Sequence, residues 1–215
     1  ASRFALTGVF VAKTKSGDVR VAATGASQNG VMRVPAIEAA LKGNWSASAI
    51  DGVKVSAGSM LGPFGGGGPI FNQSMEWERA CLVGAHLGSM ERLLEMSVDY
   101  AKTRKSFGQR IGKYQAVSHR IADMKVRLEA SRLLTYRAAS RLETSKAVGF
   151  DAAIAKLFTS EALVESALDT VRVLGGYGIM VEYGAERVLR DAVAGTLYSG
   201  TNDMQRNIIA GWLGL

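Results

Sequence analysis

The chain has 215 residues, of which 47% are hydrophobic and 21% charged; that is the balance of a soluble globular protein, long enough to bury a core as one domain or two small ones. A single cysteine, Cys81, excludes an internal disulfide, and with only His86 and His119 beside it makes a poor ligand set, so no metal is expected. The net charge of +7 is uneven: from Lys102 to Lys146 twelve Lys or Arg stand against Asp123, Glu129 and Glu143. Such a field suits cofactor phosphates, an acidic carrier protein or nucleic acid. The charges lack the interleaved aromatics of a stacking surface, so nucleic acid is not an expected partner. A solvated helix face stays an alternative for the arginines beyond Arg120. No apolar run approaches the roughly 20 residues of a membrane span, and the amino terminus lacks the layout of a signal peptide. A cytoplasmic protein with no membrane partner is expected.

In chain order, Arg3 to Lys13 is rich in β-branched and aromatic residues, Lys15-Ser16-Gly17-Asp18 reads as a turn, and Val19 to Ala23 alternates with period two. A β-hairpin is predicted. Pro35 to Leu41 and Ser46 to Ile50 read as short helices, opened by a proline and a serine cap, so residues 1–57 form a small α+β domain. Residues 58–70 are glycine-rich and lack the Gly-Lys-Ser/Thr ending of a phosphate-binding loop, which makes them a linker. Residues 71–215 are helical almost throughout. Helices are predicted over Glu76 to Lys102, Gln115 to Lys146, Asp151 to Leu174, Glu186 to Leu197 and Asn202 to Leu213. Val117, Ile121, Met124 and Leu128 share one stripe, the small residues Gly84, Ala85 and Gly88 offer a place for a close neighbour, and Gly175-Gly176 stops the third long helix. The fold class is mainly α, an antiparallel four-helix bundle behind the small α+β domain.

The cationic turn YAKTRKSFGQRIGKYQ, residues 100–115, places guanidinium and hydroxyl groups at a helix junction, where a diphosphate is well held. Together with MEWERACLVGAHLGSM (75–90), VRVLGGYGI (171–179) and YSGTNDMQRNIIA (198–210), it resembles the carboxy-terminal helical domain of the acyl-CoA dehydrogenases. The resemblance covers about residues 58–215. It implies an FAD-dependent oxidoreductase that removes the α proton of an acyl thioester, on coenzyme A or an acyl-carrier protein, while the β hydride goes to the flavin. It also implies a homo-oligomer, a dimer or tetramer, with an electron-transfer partner the sequence does not identify.

In most of that family the base is a glutamate just before the Gly-Thr seen here as Gly200-Thr201, where this chain has Ser199. Isovaleryl-type and long-chain-type members, and relatives that oxidise carrier-bound prolyl groups, instead carry the glutamate on the first helix of this domain, before an arginine. Glu78-Arg79 stands at that place, so the resemblance makes Glu78 the candidate base and Arg79 a substrate-side residue. A helix-surface carboxylate is the alternative for Glu78. Glu76, two residues away, faces elsewhere on a helix. The same resemblance assigns Arg104, Ser106, Phe107, Gln115, Gly176, Thr201 and Asp203 to the flavin, with capping of the last helix as an alternative for Thr201 and Asp203. The family usually has glutamine where Arg172 stands.

The family's amino-terminal helical and middle β domains are not recognisable. The segments SRFALTGVFVAK, VRVAATGASQNGVMRVPAIEAAL and NWSASAIDGVKV within residues 1–57 resemble instead the carboxy-terminal domain of carbon monoxide dehydrogenase medium subunits. Two alternatives follow: a helical oligomerisation module that has lost its flavin site, or a flavin-subunit fragment of a molybdenum hydroxylase.

Overall fold

The computed structural model describes residues 8–13, 16, 18–27, 30–33, 35–50, 67–142 and 148–215. The chain forms two compact units, Ala1–Met75 and Glu76–Leu215. Segments 1–7, 51–66 and 143–147, and with them most of the glycine-rich linker and the end of the helix expected to reach Lys146, lie outside the described residues.

In the first unit the predicted hairpin is β1 (Gly8–Lys13) antiparallel to β2 (Val19–Ser27), with Lys13 opposite Val19 and Gly8 opposite Thr24. A further strand, β3 (Gly30–Arg33), pairs with β2 through Ala22–Arg33 and Ala23–Met32. Four residues are too few to show an alternation, which is why the sequence pointed only to a hairpin. Helix α1 (Pro35–Gly43) starts on its proline, where the missing N–H costs nothing. It lays Leu41 and Ile37 against Val19 and Val21. Its Glu38 accepts the Val21 N–H at 3.0 Å. The segment expected as a helix from Ser46 is a single 3-10 turn, Ala47–Ile50.

The later helices fall close to their predicted limits, whereas the first long one starts nine residues before the expected Glu76. Helix α2 (Gly67–Thr103) begins four residues inside the stretch read as linker, with Pro69 in its first turn where proline is tolerated. A two-residue ribbon, β4 (Lys105–Ser106) and β5 (Gln109–Arg110), follows. Then come α3 (Gln115–Arg141), α4 (Val148–Leu174), α5 (Ala185–Gly195) and α6 (Asn202–Trp212). Helix α4 is central, packed on α3, α5 and α6. Small residues along it, Ala152, Ala153, Ala155, Ala162 and Ala167, are buried, which lets its neighbours approach closely. Leu87, Met90 and Leu93 of α2 meet Met124 and Leu128 of α3 and Leu163 of α4 in the main core. Val117 and Ile121 continue the α3 stripe into a second cluster around Val173 and Leu174. Gly84 and Gly88 are exposed, with open space where a side chain would stand.

Much of the basic run is neutralised by the packing of α3 on α4. Asp169, almost fully buried, accepts Arg120 at 2.8 Å and Arg127 at 2.9 Å. Burial pushes its carboxyl up, but the two guanidinium hydrogen bonds and their charges outweigh this and hold its pKa below the usual carboxylate value. Asp151, also buried, is bracketed by Arg137 at 3.1 Å and Arg141 at 2.7 Å. These arginines are ion-paired rather than a free cationic face.

Candidate functional site

Two clusters of polar groups form, one around Glu78 within α2 and one just past its carboxy-terminal end. At the first, Glu78 and Arg79 project from α2 toward the turn between α5 and α6. The Ser199 hydroxyl donates to Glu78 Oε1 at 2.5 Å. Arg79 Nε donates to the Ser199 carbonyl at 2.9 Å. Gln205, fully buried on α6, donates to the Gly200 carbonyl at 2.9 Å and to that of Ser199 at 3.3 Å. The turn is unusual in its backbone: Ser199 has φ 56° and Gly200 φ 85°. Glycine suits this position because of its φ, and a Cβ there would also stand close to Gln205 Nε2, at 3.0 Å. Glu76 points elsewhere, over Gly149 at the start of α4, where burial raises its pKa against the opposing charge of Arg79.

Behind this turn lies a buried polar layer. Lys156 of α4 has no exposed surface and donates to Asn202 Oδ1 at 2.7 Å, which also accepts Ser160 Oγ at 3.0 Å. Burial, with repulsion from Arg79, lowers the Lys156 pKa to about 8 against the pull of Glu161. His86 Nε2 lies 2.6 Å from the Tyr198 hydroxyl. Burial and then the Lys156 charge lower the His86 pKa, so the ring is neutral near pH 7.

At the far end of α2 the cationic turn closes on itself. Phe107 and Gly108 have φ 48° and 84°, the pair of left-handed residues that joins two strands by a type I′ turn. The Ile111 N–H donates to the Arg104 carbonyl at 2.9 Å and Tyr114 Oη to the Ser106 carbonyl at 2.9 Å. Arg104 and Ser106 line a cavity of about 500 Å³ with Gly175, Gly176, Tyr100 and Tyr177. The guanidinium of Arg104 lies over the Tyr177 ring, 5.9 Å from its centre. Gly175–Ile179 form a 3-10 turn after α4, and Gly178 is the glycine it cannot lose, because a Cβ there would stand 2.5 Å from the Val171 carbonyl oxygen. Phe107 is 96% exposed at the tip, and Gln115 is exposed at the first position of α3.

The expected site residues therefore separate. Glu78, Arg79, Thr201 and Asp203 belong to the first cluster; Arg104, Ser106 and Gly176 line the cavity of the second, whereas Phe107 and Gln115 are exposed and do not line it. The 26 positions from Glu78 to Arg104 amount to about 39 Å of helix. Thr201 caps α6, its hydroxyl accepting the Met204 N–H at 3.3 Å, and Asp203 is exposed beside Arg206 at 3.5 Å. A guanidinium, a hydroxyl and an open glycine backbone around one cavity fit a diphosphate. Sequence reasoning missed Lys156, Tyr100 and Tyr177, since an isolated lysine or tyrosine in a helical pattern carries no local sign that it will be buried or stacked. Among the described residues, no group of three or more His, Cys, Asp or Glu is gathered to hold a metal. None of the described helices is long and apolar enough to cross a membrane.

Residues 65–214 match the acyl-CoA dehydrogenase C-terminal domain. The L-prolyl-[peptidyl-carrier protein] dehydrogenase of Pseudomonas fluorescens is 47% identical over 160 residues, which is 74% of this chain and 42% of that protein. An acyl-CoA dehydrogenase of Bacillus subtilis is 42% identical over 163 residues, 76% of this chain and 43% of that protein. The chain thus spans about two fifths of the length of these relatives. The crystal structure of the prolyl acyl carrier protein oxidase AnaB superposes with a TM-score of 0.74 at 33% identity, over 99% of this chain and 58% of that one. That superposition takes in the amino-terminal unit as well.

Proposed function

The chain belongs to the acyl-CoA dehydrogenase family, and we propose that it carries the base and the pyrophosphate foothold of an FAD-dependent acyl-thioester dehydrogenase. The observation that carries this reading is the 2.5 Å hydrogen bond from Ser199 to Glu78. In most of the family the residue at the place of Ser199 is the glutamate base, as the resemblance implies. Here that turn folds onto Glu78, so the carboxylate reaches the same point in space from the helix instead of from the turn.

Glu78 takes the α proton of the thioester. The α C–H bond breaks, its electron pair forms the Cα–Cβ double bond, and the β hydrogen leaves as hydride. FAD, when bound, accepts that hydride. Arg104 and Ser106 would hold the diphosphate of FAD in the cavity beside Gly176. An extended flavin dinucleotide is shorter than the span from Glu78 to Arg104. A working site therefore pairs Glu78 of one protomer with the Arg104 turn of another, and the protein is a homo-oligomer. Thr201 and Asp203, at the Glu78 end, would face the nucleoside part of the flavin that Glu78 serves.

The substrate is an L-prolyl group held as a thioester on a carrier protein, ahead of a coenzyme A thioester. Support comes from the name of the Pseudomonas fluorescens relative and from AnaB. The coverage of the AnaB superposition supports reading the amino-terminal unit as part of the same enzyme. Glu78→Gln tests the reading. With L-prolyl carrier protein or butyryl-CoA as reductant, flavin bleaching should slow by roughly 10²–10⁴-fold while flavin stays bound. An unchanged rate removes Glu78 as the base. A colourless protein that keeps its oligomeric state and takes up no FAD would favour the non-catalytic module.

A further inference from the structure

We infer that the Ser199 hydroxyl is a positioning group for the Glu78 carboxylate, fixing which oxygen meets the substrate; this role rests on the reading of Glu78 as the base. A glutamate on a helix surface turns about three side-chain bonds, and an abstracting carboxylate must be held near one geometry to be effective. Ser199 supplies that restraint from a segment 121 positions away, donating to Oε1 at 2.5 Å. Among the described residues no hydrogen bond reaches Oε2, which leaves that oxygen for the α proton.

The backbone around Ser199 shows that its place is enforced. A serine at φ 56° occupies a left-handed region that is unfavourable for a residue with a Cβ, and such a residue persists only where its surroundings hold it. Here the carbonyl of Ser199 is gripped by Arg79 at 2.9 Å and Gln205 at 3.3 Å. Arg79 neighbours Glu78 on α2, so one turn of helix supplies both the carboxylate and the clamp on its donor. Glycine would relieve the strain but has no hydroxyl; alanine keeps the strain and loses the hydroxyl as well.

Ser199→Gly and Ser199→Ala therefore separate the backbone from the hydroxyl. Two measurements decide the matter. The first is a double-mutant cycle on urea unfolding with Ser199→Ala, Glu78→Ala and the pair, which removes donor and acceptor separately and uses neither flavin nor substrate. The expected result is a coupling of roughly threefold to tenfold in the unfolding constant, as for one partly exposed hydrogen bond to a charged group; additive effects overturn the inference. The second is flavin reduction by L-prolyl carrier protein. Both serine variants should lose about tenfold in the rate at saturation, with the half-saturating concentration unchanged and a larger isotope effect from α-deuterated substrate. A rate kept by Ser199→Gly overturns the positioning role even if the cycle shows coupling. If Glu78→Gln also keeps its rate, the reading of the base falls instead. A wild type that the thioester does not reduce overturns the functional reading and the positioning role with it, while the cycle still reports whether the two residues interact.

Discussion

Glu78 lies eleven residues from the start of α2 and Arg104 just past its end, about 39 Å apart along its axis. One helix thus carries the proposed base and the proposed phosphate ligand to places that a single flavin in one protomer cannot join. Complementation between subunits tests this. Oligomers assembled from Glu78→Gln and Arg104→Glu protomers should recover up to about a quarter of wild-type activity in a random dimer mixture, because half the pairs are hybrid and each hybrid has one intact site of two. Each variant alone should stay nearly inactive, and a mixture no better than its components would show that both residues serve the site of the same protomer.

Lys156 is a buried cation hydrogen-bonded to an amide oxygen rather than to a carboxylate. Its native pKa, lowered to about 8, lies below the 10.5 of an exposed lysine. Below about pH 8 both states carry the proton and the full cost of burying the charge is present. From there to 10.5 the native state releases the proton first, so stability relative to a variant without the charge rises with pH. Lys156→Met should match or exceed the wild type by about 1 kcal/mol near neutral pH. Urea unfolding should show that advantage shrinking as pH is raised toward 10. A pH-independent difference would mean that Lys156 is not buried as a charge.

Removing the Asp169 carboxylate takes the anion from Arg120 and leaves Arg127 with Glu165 alone, at 3.0 Å. Asp169→Asn should cost about 2 kcal/mol at neutral pH, below the full value for a buried pair because both arginines are partly solvated. The native pKa of Asp169 is depressed, so its contribution is complete above the unfolded carboxylate pKa and is lost as pH falls through the native one. The difference in unfolding midpoint between wild type and variant should accordingly close in strong acid.

The 3-10 turn beside the cavity offers a comparison of two glycines. At Gly178 an added methyl would meet Val171 backbone atoms at 2.5 and 2.7 Å, whereas at Gly176 it would point into open space. Gly178→Ala should cost about 3 kcal/mol in chemical denaturation. Gly176→Ala should cost no more than about 0.5 kcal/mol and any effect should fall on FAD uptake instead. Equal losses in stability would contradict the packing described for this turn.

Helix limits were legible because their determinants are local. Gln115 starts α3, Gly175 with φ 61° ends α4 at Leu174, and the Thr201 cap opens α6 at Asn202, each as expected. The cationic turn was legible as a junction between two helices, and Arg104, Ser106 and Gly176 line one cavity. The charge count over the same run misled in part, since it cannot show that Asp169 and Asp151 of α4 lie under the arginines of α3. The short strand β3 and the first turns of α2 escaped notice because four residues show no period and because glycine and proline look like linker.

What the sequence by itself determined is therefore the set of helices, their order, and the residue types able to hold a diphosphate or abstract a proton. Those features follow from side-chain chemistry and from hydrogen bonds that close within four residues of the chain. Only the tertiary structure decided that Ser199 meets Glu78 and that Lys156 is sealed behind Asn202. Both meetings depend on how the small residues of α4 let helices from remote parts of the sequence close on one another.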